Sequence, residues 1–588
     1  MAVFSKVLVA NRGEIAVRVF RTLRELGIGT IAVYSEVDRN SAHVAYADEA
    51  HLIGAGPPGE SYLNHERVLD AARRAGADAI HPGYGFLAEN ADFARACGER
   101  GFVWIGPPPE AIEAMGSKIE ARERMRAAGV PIIPGATRPV ESAEEVRRLG
   151  DELGWPIAVK ASAGGGGKGL KVVREPAQVE RAFESARREG EAYFSDPAVY
   201  VERYLQDPRH VEVQVLADAR GNVVHVGERD CTIQRRHQKL VEETPSPAVD
   251  SELRERIGAI AIEAARAVGY RGAGTIEGLL SREGEYFFLE MNTRIQVEHT
   301  VTEMVTGLDL VREQVLIAAG QPLPLRQDEV HLNGHSLECR INAEDVAGGF
   351  LPAPGTITRY REPGGPGVRV DSGVVAGSEI SAIYDPMIAK LVVHDVDREQ
   401  ARHRMLRALD EFVIEGVKTL IGFHKALLTH PCFIEGETCH GLVESELLAA
   451  RTSEFENGRR VVDAAVGAAD LREAVRSVEV DGRRFEVRVL RPEPAFAELG
   501  RRRRERSGGG GRAAAGRDAV VSPMQGTVLA VEVAEGDVVE VGQVICIVEA
   551  MKMENEVHAH RSGVVAELSV VAGQPVKTGQ VICVVTAE

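Results

Sequence analysis

Cysteine is scarce in this 588-residue chain, with seven residues at 97, 231, 339, 432, 439, 546 and 583. No pair among them has zinc-ligand spacing, and an odd, sparse set fits a reducing compartment better than a disulfide framework. Long apolar runs are missing too. Met1 to Ala10 lacks the extended apolar core of a secretion signal, and no stretch approaches the ~20 apolar residues that a membrane helix needs. Positive charge is in deficit: 70 Lys and Arg face 88 Asp and Glu, and the net charge of −18 argues against a nucleic-acid binder. The one dense basic run, Arg501 to Arg506, passes into Ser507 and a glycine run ending at Gly511, and reads as a solvated tether. These absences predict a cytoplasmic protein with no membrane span, long enough for three or four domains.

What the chain does contain is an internal echo near its C-terminus. Gly526 to Gly536, followed by Val541 to Cys546, is repeated by Gly563 to Gly573, followed by Thr578 to Cys583, with an offset of 37 residues at every matched glycine and at both cysteines. Short, Val-rich, alternating strands with glycine turns, stated twice, predict two interlocked sheets related by a pseudo-twofold. Between the halves the chain must reverse, which puts Lys552 at an exposed hairpin tip. By position alone an exposed lysine is simply solvated. The segment Ala550-Met551-Lys552-Met553, however, resembles the attachment signal of the biotinyl carrier domain of biotin-dependent carboxylases, and Ser522-Pro523-Met524-Gln525-Gly526 fits the opening of the same domain. Lipoyl carriers share that fold but flank their lysine with Asp and Ala. The resemblance therefore implies biotin, joined to Lys552 as an amide by a biotin protein ligase.

At the other end, a buried strand at Lys6 to Ala10 enters the turn Asn11-Arg12-Gly13 and a helix with the apolar face Ile15, Val19, Leu23 and Leu26, ended by Gly27. Strands at Thr30 to Tyr34 and Ala77 to His81, with a helix at Glu66 to Ala75 between them, complete the pattern of a doubly wound parallel sheet. Ligands of such sheets collect beyond the strand C-termini, so the turn holding Gly83 and Gly85 borders a site, although tight turns need glycine regardless.

The middle third carries the candidate chemistry. A strand at Pro156 to Lys160 enters the loop Gly164-Gly165-Gly166-Gly167-Lys168-Gly169, and a strand resumes at Leu170 to Val173. Backbone N–H groups of such a loop can approach phosphate oxygens closely. It is not a Walker loop, because no helix and no Lys-Ser/Thr ending follow. Alone, it is equally a flexible hairpin. Glu277 and Glu290, on neighbouring strand-like segments with Asn292 close behind, make an all-oxygen pocket for a hard cation; singly, each reads as a surface ion-pair residue. Loop, carboxylates and Lys160 together resemble an ATP-grasp ligase.

The stretches Glu228 to Glu243 and Glu290 to His299 narrow that resemblance to the biotin carboxylase branch, and the likeness covers residues 3 to about 446. Position by position, it implies that Lys118, Lys160, Glu202, Leu205, His210, Gln234 and His237, with the loop glycines Gly165 and Gly166, meet ATP. It gives Mg²⁺ or Mn²⁺ to Glu277, Glu290 and Asn292, and bicarbonate to Lys239, Arg294, Gln296 and Val297. Glu298 would be the base for bicarbonate, and Arg340 would stabilise the biotin enolate, with Lys239 and Arg294 offsetting the charge of carboxyphosphate. A solitary arginine more often braces carboxylates. Cys231 has a passive role in this chemistry, since ATP activation needs no sulfur step, and His299 is equally a packing histidine.

The implied organisation is a biotin carboxylase N-terminal domain at 1–115, an ATP-grasp domain at 116–333 and a C-terminal lobe at 334–448. A linker at 449–518 with a β-hairpin at Val478 to Leu490 follows, then a flattened all-β carrier barrel at 519–588. The whole resembles the α subunits of acyl-CoA carboxylases. That likeness implies a homodimeric biotin carboxylase part within a larger hetero-oligomer, and a separate carboxyltransferase β subunit, since no such domain follows the carrier. A two-subunit pyruvate carboxylase and a non-catalytic biotin-bearing scaffold are the alternatives, with an ATP-grasp ligase bearing a lipoyl carrier as a third. Thr300 departs from the pattern, standing where many relatives have proline.

Overall fold

The computed structural model describes all residues except 1–3, 137, 162–169, 195–197, 237, 458–471, 481–482, 492–517, 524–525, 551–552, 578 and 587–588. Side chains are also left undescribed at 118–119, 161, 170, 189–190, 192–194, 457, 472–480, 483–491, 526, 549–550 and 553–555. Gly165, Gly166, His237 and Lys552, and the side chain of Lys118, thus lie outside the described residues. The chain divides into two compact units, 1–460 and 461–588.

In the first unit, strands β1 (Lys6–Val9), β2 (Gly29–Ser35), β3 (Glu49–Gly54), β4 (Ala79–His81) and β5 (Val103–Trp104) form a parallel sheet in the order β3-β2-β1-β4-β5. The predicted helix occupies Gly13–Glu25 and buries Ile15, Val19 and Leu23, one turn apart on one stripe. The order reverses between β1 and β4, the place where such sheets receive ligands. There the Asn11 amide ties the loops after both strands together, donating to the carbonyls of Pro82 and Tyr84 at 2.7 Å each. Gly83 has φ +64° and a Cβ there would sit 2.9 Å from Asn11 Nδ2, so close packing against Asn11, as well as the turn, requires glycine.

A three-stranded sheet follows, β6 (Ile157–Ala161), β7 (Leu170–Val173) and β8 (Val199–Arg203), ordered β7-β6-β8. The centre of the unit is an eight-stranded antiparallel sheet. It is built from β9 (Arg209–Ala217), β10 (Val223–Arg235), β11 (Gln238–Thr244), β12 (Gly272–Leu280), β13 (Tyr286–Asn292) and β14 (His335–Asn342), ordered β13-β12-β9-β10-β11-β14 and continued by Met387–Asp395 and Val368–Ser372. The helix Arg398–Glu411 lays Ala401, Met405, Ala408 and Leu409 into the core beside Leu337, Cys339 and Leu391 of this sheet. Its apolar stripe is therefore core. Cys432 and Cys439, left unassigned by spacing, form a disulfide with Cα atoms 5.7 Å apart, a departure from the all-thiol expectation.

The second unit realises the repeat. One four-stranded sheet joins Ala519–Val521, Val581–Thr586, Gly563–Leu568 and Val538–Val539; the other joins Met553–His558, Val544–Ala550, Gly526–Val531 and Pro575–Val576. Each long-strand pair takes its short edge strand from the opposite repeat, so neither half closes a core alone. Cys546 and Cys583 occupy matched buried positions in the shared core. The hairpin pairs Arg472–Val480 with Arg483–Arg491, longer at both ends than the predicted Val478 to Leu490. No helix among the described residues is long and apolar enough to cross a membrane.

Candidate active site

Register builds the site. Glu290 of β13 faces Glu277 of β12, Glu277 faces Glu212 of β9, and Glu212 faces Arg229 of β10, so four charged residues form one row across four strands. Three carboxylates side by side repel one another, and burying them demands cations. Arg229, fully buried, answers from within the row: it donates to Glu212 Oε1 at 2.5 Å, Gln296 Oε1 at 2.6 Å and Gln214 Oε1 at 2.8 Å. Lys239, from β11, donates to Glu212 Oε2 at 2.5 Å, Glu298 Oε1 at 2.6 Å and Glu277 Oε1 at 2.9 Å. His210 Nε2 lies 2.9 Å from Glu277 Oε2, and Gln296 donates to Glu277 Oε1 at 2.6 Å.

Glu298 stands at the end of the loop after β13, just before the helix His299–Thr306, and is 2% exposed. Its second oxygen accepts from Arg340 of β14 at 2.9 Å, and Arg340 also donates to Glu242 of β11 at 2.6 Å. Burial alone would push the Glu298 carboxyl up, but Lys239, Arg340 and Arg229 more than reverse this and hold it well below the usual range. Burial opposes the charge on Lys239, yet Glu212, Glu298 and Glu277 keep it firmly protonated. The cluster is an ionised cage around one carboxylate, a concentration of perturbed groups typical of chemistry rather than stability.

The other candidates make contacts of their own. Arg294 donates to Glu89 at 2.9 Å and to Asn292 Oδ1 at 2.8 Å, joining the N-terminal sheet's loop to β13. Lys160 of β6 hydrogen-bonds Glu202 of β8, which also accepts from Arg122 at 3.2 Å. Gln234 donates to the Cys231 carbonyl at 2.7 Å, and Leu205 lies half-buried between β8 and β9. Val297 offers its backbone carbonyl to Lys390 at 2.9 Å. Cys231 is buried and burial raises its thiol pKa well above the ordinary value, so it has no thiolate character. His299 is buried with Nδ1 2.7 Å from the Gln296 carbonyl, a packing and hydrogen-bonding histidine.

Residues 3–112 match the family described as biotin carboxylase, N-terminal domain, residues 117–326 the carbamoyl-phosphate synthase L chain, ATP binding domain, and residues 338–445 the biotin carboxylase C-terminal domain. The chain is 46% identical over 575 residues to the biotin-dependent acyl-coenzyme A carboxylase alpha3 subunit of Mycobacterium leprae, covering 95% of each chain. It belongs to the biotin carboxylase family.

Members of that family are ATP-dependent ligases, and ATP-dependent carboxylation of biotin is this enzyme's reaction class. The carrier segment is matched as well, residues 518–585 agreeing with the family described as biotin-requiring enzyme. A pyruvate carboxylase subunit of Methanothermobacter thermautotrophicus is 54% identical over 434 residues, 74% of this chain and 88% of that one. A crystal structure of the biotin carboxylase domain dimer of Hydrogenobacter thermophilus 2-oxoglutarate carboxylase, with MgADP, ADP and bicarbonate, superposes with a TM-score of 0.71 at 48% identity, covering 76% of this chain and 98% of that one.

Several residues of the biotin carboxylase cage were not singled out from sequence: Glu212, Arg229, Glu242, Glu338, Lys390 and Glu89. Thr300, the departure from the family pattern, donates its hydroxyl to Glu338 Oε2. Glu338, on β14, is pushed up to about 7, by burial first and by Glu298, against the pull of Lys390, Arg340 and the Thr300 hydroxyl. A second buried acid lies behind the cage. Glu14, 3.3 Å from Lys390, is pushed up by burial to about 7 despite that ammonium. Its folded pKa exceeds the unfolded value, so the folded state binds the extra proton and stability falls as pH rises from about 4.5 to about 7. Glu14→Gln should therefore gain on wild type as pH rises from 5 to 8, by up to about 3 kcal/mol. Denaturant midpoints at the two pH values measure this, and a pH-independent gap would place the Glu14 carboxyl in the ordinary range.

Proposed function

We propose that the chain carboxylates biotin on Lys552 with ATP and bicarbonate, as the α subunit of an acyl-CoA carboxylase. The observation that carries the chemistry is Glu298 held between Lys239 and Arg340. What favours the acyl-CoA branch is the full-length likeness to the M. leprae subunit, where the pyruvate carboxylase subunit covers 74% of this chain.

For Mg²⁺ the donor set fits. Glu277 and Glu290 are cross-strand partners, Asn292 follows two residues on along the same strand, and all offer oxygen, as a hard cation requires. Two groups of described residues bring one donor each within 4.8 Å, His210 with Glu212 and Glu277, and Glu212 with Cys231 and Glu298; Glu277 is the acid that the first of them shares with the proposed magnesium set. Mg²⁺ supplies charge neutralisation at nucleotide phosphates. Lys160, Glu202, His210, Gln234 and Leu205, with Lys118, His237, Gly165 and Gly166, form the proposed nucleotide face. Lys239, Arg294, Gln296 and the Val297 backbone hold bicarbonate.

Glu298 accepts the bicarbonate proton as the oxygen attacks the γ-phosphate. In the cage its basicity is suppressed by Lys239 and Arg340; an anionic substrate that shares those two cations lets the carboxylate's proton affinity rise toward what a base needs. Lys239 and Arg294 offset the charge of the carboxyphosphate. Arg340, fixed by Glu242, then stabilises the oxyanion that forms when the biotin ureido nitrogen loses its proton. The carboxyltransferase β subunit, the biotin protein ligase that loads Lys552, and a homodimer of the carboxylase part complete the proposed assembly.

Phosphate release from ATP by the biotinylated chain should require bicarbonate, and intact-mass analysis should show Lys552 gaining first biotin and then one carboxyl group. Adding a carboxyltransferase partner with acetyl-CoA or propionyl-CoA should discharge that group. Discharge to pyruvate alone would move the protein to the pyruvate carboxylase branch, and a biotinylated chain with no ATP turnover at all would leave only a biotin-bearing scaffold.

A further inference from the structure

Glu242 of β11 and Glu338 of β14 stand directly opposite one another in the sheet register, and both are completely buried. Like charges in facing positions repel, and burial removes the water that would screen them. One oxygen of each carboxyl is satisfied: Glu242 Oε1 accepts from Arg340 at 2.6 Å, and Glu338 Oε2 accepts from the Thr300 hydroxyl. The other two, Glu242 Oε2 and Glu338 Oε1, are shut off from solvent, and no described residue donates to either. We propose that the two acids share one proton at neutral pH, and that this singly charged pair positions Arg340 for the biotin step. Both are positioning residues: they act through Arg340, and so rest on the role proposed for it at the biotin oxyanion.

A proton on Glu338 Oε1 supplies the donor that Glu242 Oε2 lacks, and it removes one of the two facing charges. Burial pushes Glu242 up, with Glu338 and Glu298 adding to it, against Arg340 and Lys239. Glu338 moves the same way, burial again first. The surrounding cations are already engaged. Arg340 is shared with Glu298 at 2.9 Å; Lys239 is held by Glu212, Glu277 and Glu298, and Lys390 by the Val297 carbonyl, Glu14 and Asp371. The remaining titratable neighbours add no charge. Burial keeps the thiols of Cys231 and Cys339 protonated, and keeps His299, beside Thr300, and His424, on the Arg340 carbonyl, neutral.

The single charge matters for Arg340. With the proton in place, the guanidinium faces two carboxylates, Glu242 and Glu298, and its planar fork can still meet a third anion. Loss of the proton adds another charge beside it, neutralises the guanidinium further and weakens what it can offer to an oxyanion. The pair holds its proton above the usual carboxyl range, so its help to Arg340 is present at neutral pH and is lost as pH rises. Thr300 tunes that loss. Its hydroxyl donates to Glu338 and favours the ionised form, drawing the carboxyl down. Proline at this position has no group to donate, so Thr300 makes the pair release its proton at a lower pH than proline would.

The test uses the full chain with ¹³C-carboxyl glutamate, read by infrared difference against unlabelled protein. Glu14→Gln serves as the background, because Glu14 is itself raised toward neutrality. In that background a carboxylic-acid C=O band should be present at pH 7, should vanish when Glu338→Gln is added, and should persist to higher pH when Thr300→Val is added. Glu338→Met, which removes the donor, should lower the ratio of Lys552 carboxylation to phosphate release by about tenfold, the cost of one hydrogen bond to a charged group. Glu338→Gln, which keeps an N–H donor for Glu242, should recover most of that ratio. No acid band, a band that survives Glu338→Gln, or Met and Gln variants with equal ratios would overturn the proposal. If the Glu338 variants do not fold, the band and its shift in Thr300→Val decide, and an unshifted band overturns it. The infrared result needs no turnover, so a chain without bicarbonate-dependent turnover would remove the proposed function while the band still decides the shared proton.

Discussion

Glu298→Gln should lower bicarbonate-dependent ATP turnover by about 10²- to 10⁴-fold, the range for losing a positioned base. The change keeps the shape and removes the charge that Lys239 and Arg340 share. Arg340→Ala should behave differently. It removes the group proposed to meet the biotin oxyanion, worth about 10²- to 10³-fold, so carboxyl transfer to biotin falls further than phosphate release. Because Glu242 and Glu298 lose a buried partner in Arg340→Ala, its thermal melt must be compared with wild type before the rates are read. Two assays on each variant, phosphate release and Lys552 carboxylation, give the result. Equal losses of both activities in both variants would mean that Glu298 and Arg340 act only as one structural ion pair. With its pKa held low, Glu298 is ionised throughout the working range, so an acid limb of kcat/KM above pH 5 must come from another group.

Much of the architecture could be read from the chain because its signals are periodic. The 37-residue echo states the carrier's two sheets, though not that each borrows an edge strand from the other repeat, since pairing partners are a property of register. The helix at Gly13–Glu25 and the loop glycines of the N-terminal sheet follow from spacing and turn chemistry. The site was legible where short motifs carry a family resemblance, as at Glu290 to His299. It was not legible where chemistry depends on which strand lies beside which. Glu212 and Arg229 are 17 residues apart and directly opposed, and Glu242 meets Arg340 across 98. One signal was available: in Glu338-Cys339-Arg340-Ile341-Asn342, polar residues alternate through a strand buried along its whole length. Polar alternation without a solvent face marks side chains that pair with one another, and it points to Glu338 as much as to Arg340. The disulfide was hidden for the same reason, because the partners of Cys432 and Cys439 are set by a turn and not by a motif.

The largest stability effect is expected at Lys390, a residue to which the sequence assigns no role. It is fully buried on Met387–Asp395, donates to the Val297 carbonyl at 2.9 Å, and lies 3.3 Å from Glu14 and 3.9 Å from Asp371. Glu14 belongs to the N-terminal helix, Asp371 to the outermost strand of the central sheet, and Val297 to the loop that presents Glu298. One ammonium thus ties three parts of the first unit together directly behind the proposed base. Lys390→Met keeps the length of the side chain but strands Glu14 and Asp371, and breaking a buried pair in this way costs about 3–5 kcal/mol. Asp371 retains Arg369 at 2.7 Å, so most of the penalty falls on Glu14, which answers by staying protonated. The double variant Lys390→Met/Glu14→Gln should therefore recover part of the lost stability, seen as a denaturant midpoint between those of Lys390→Met and wild type. The Val297 carbonyl stays unpaired in both, so the KM for bicarbonate should remain raised by about tenfold in each, the cost of one lost charge-assisted hydrogen bond that positions substrate. Recovery of stability together with a normal KM would mean that Lys390 braces the fold without positioning the loop.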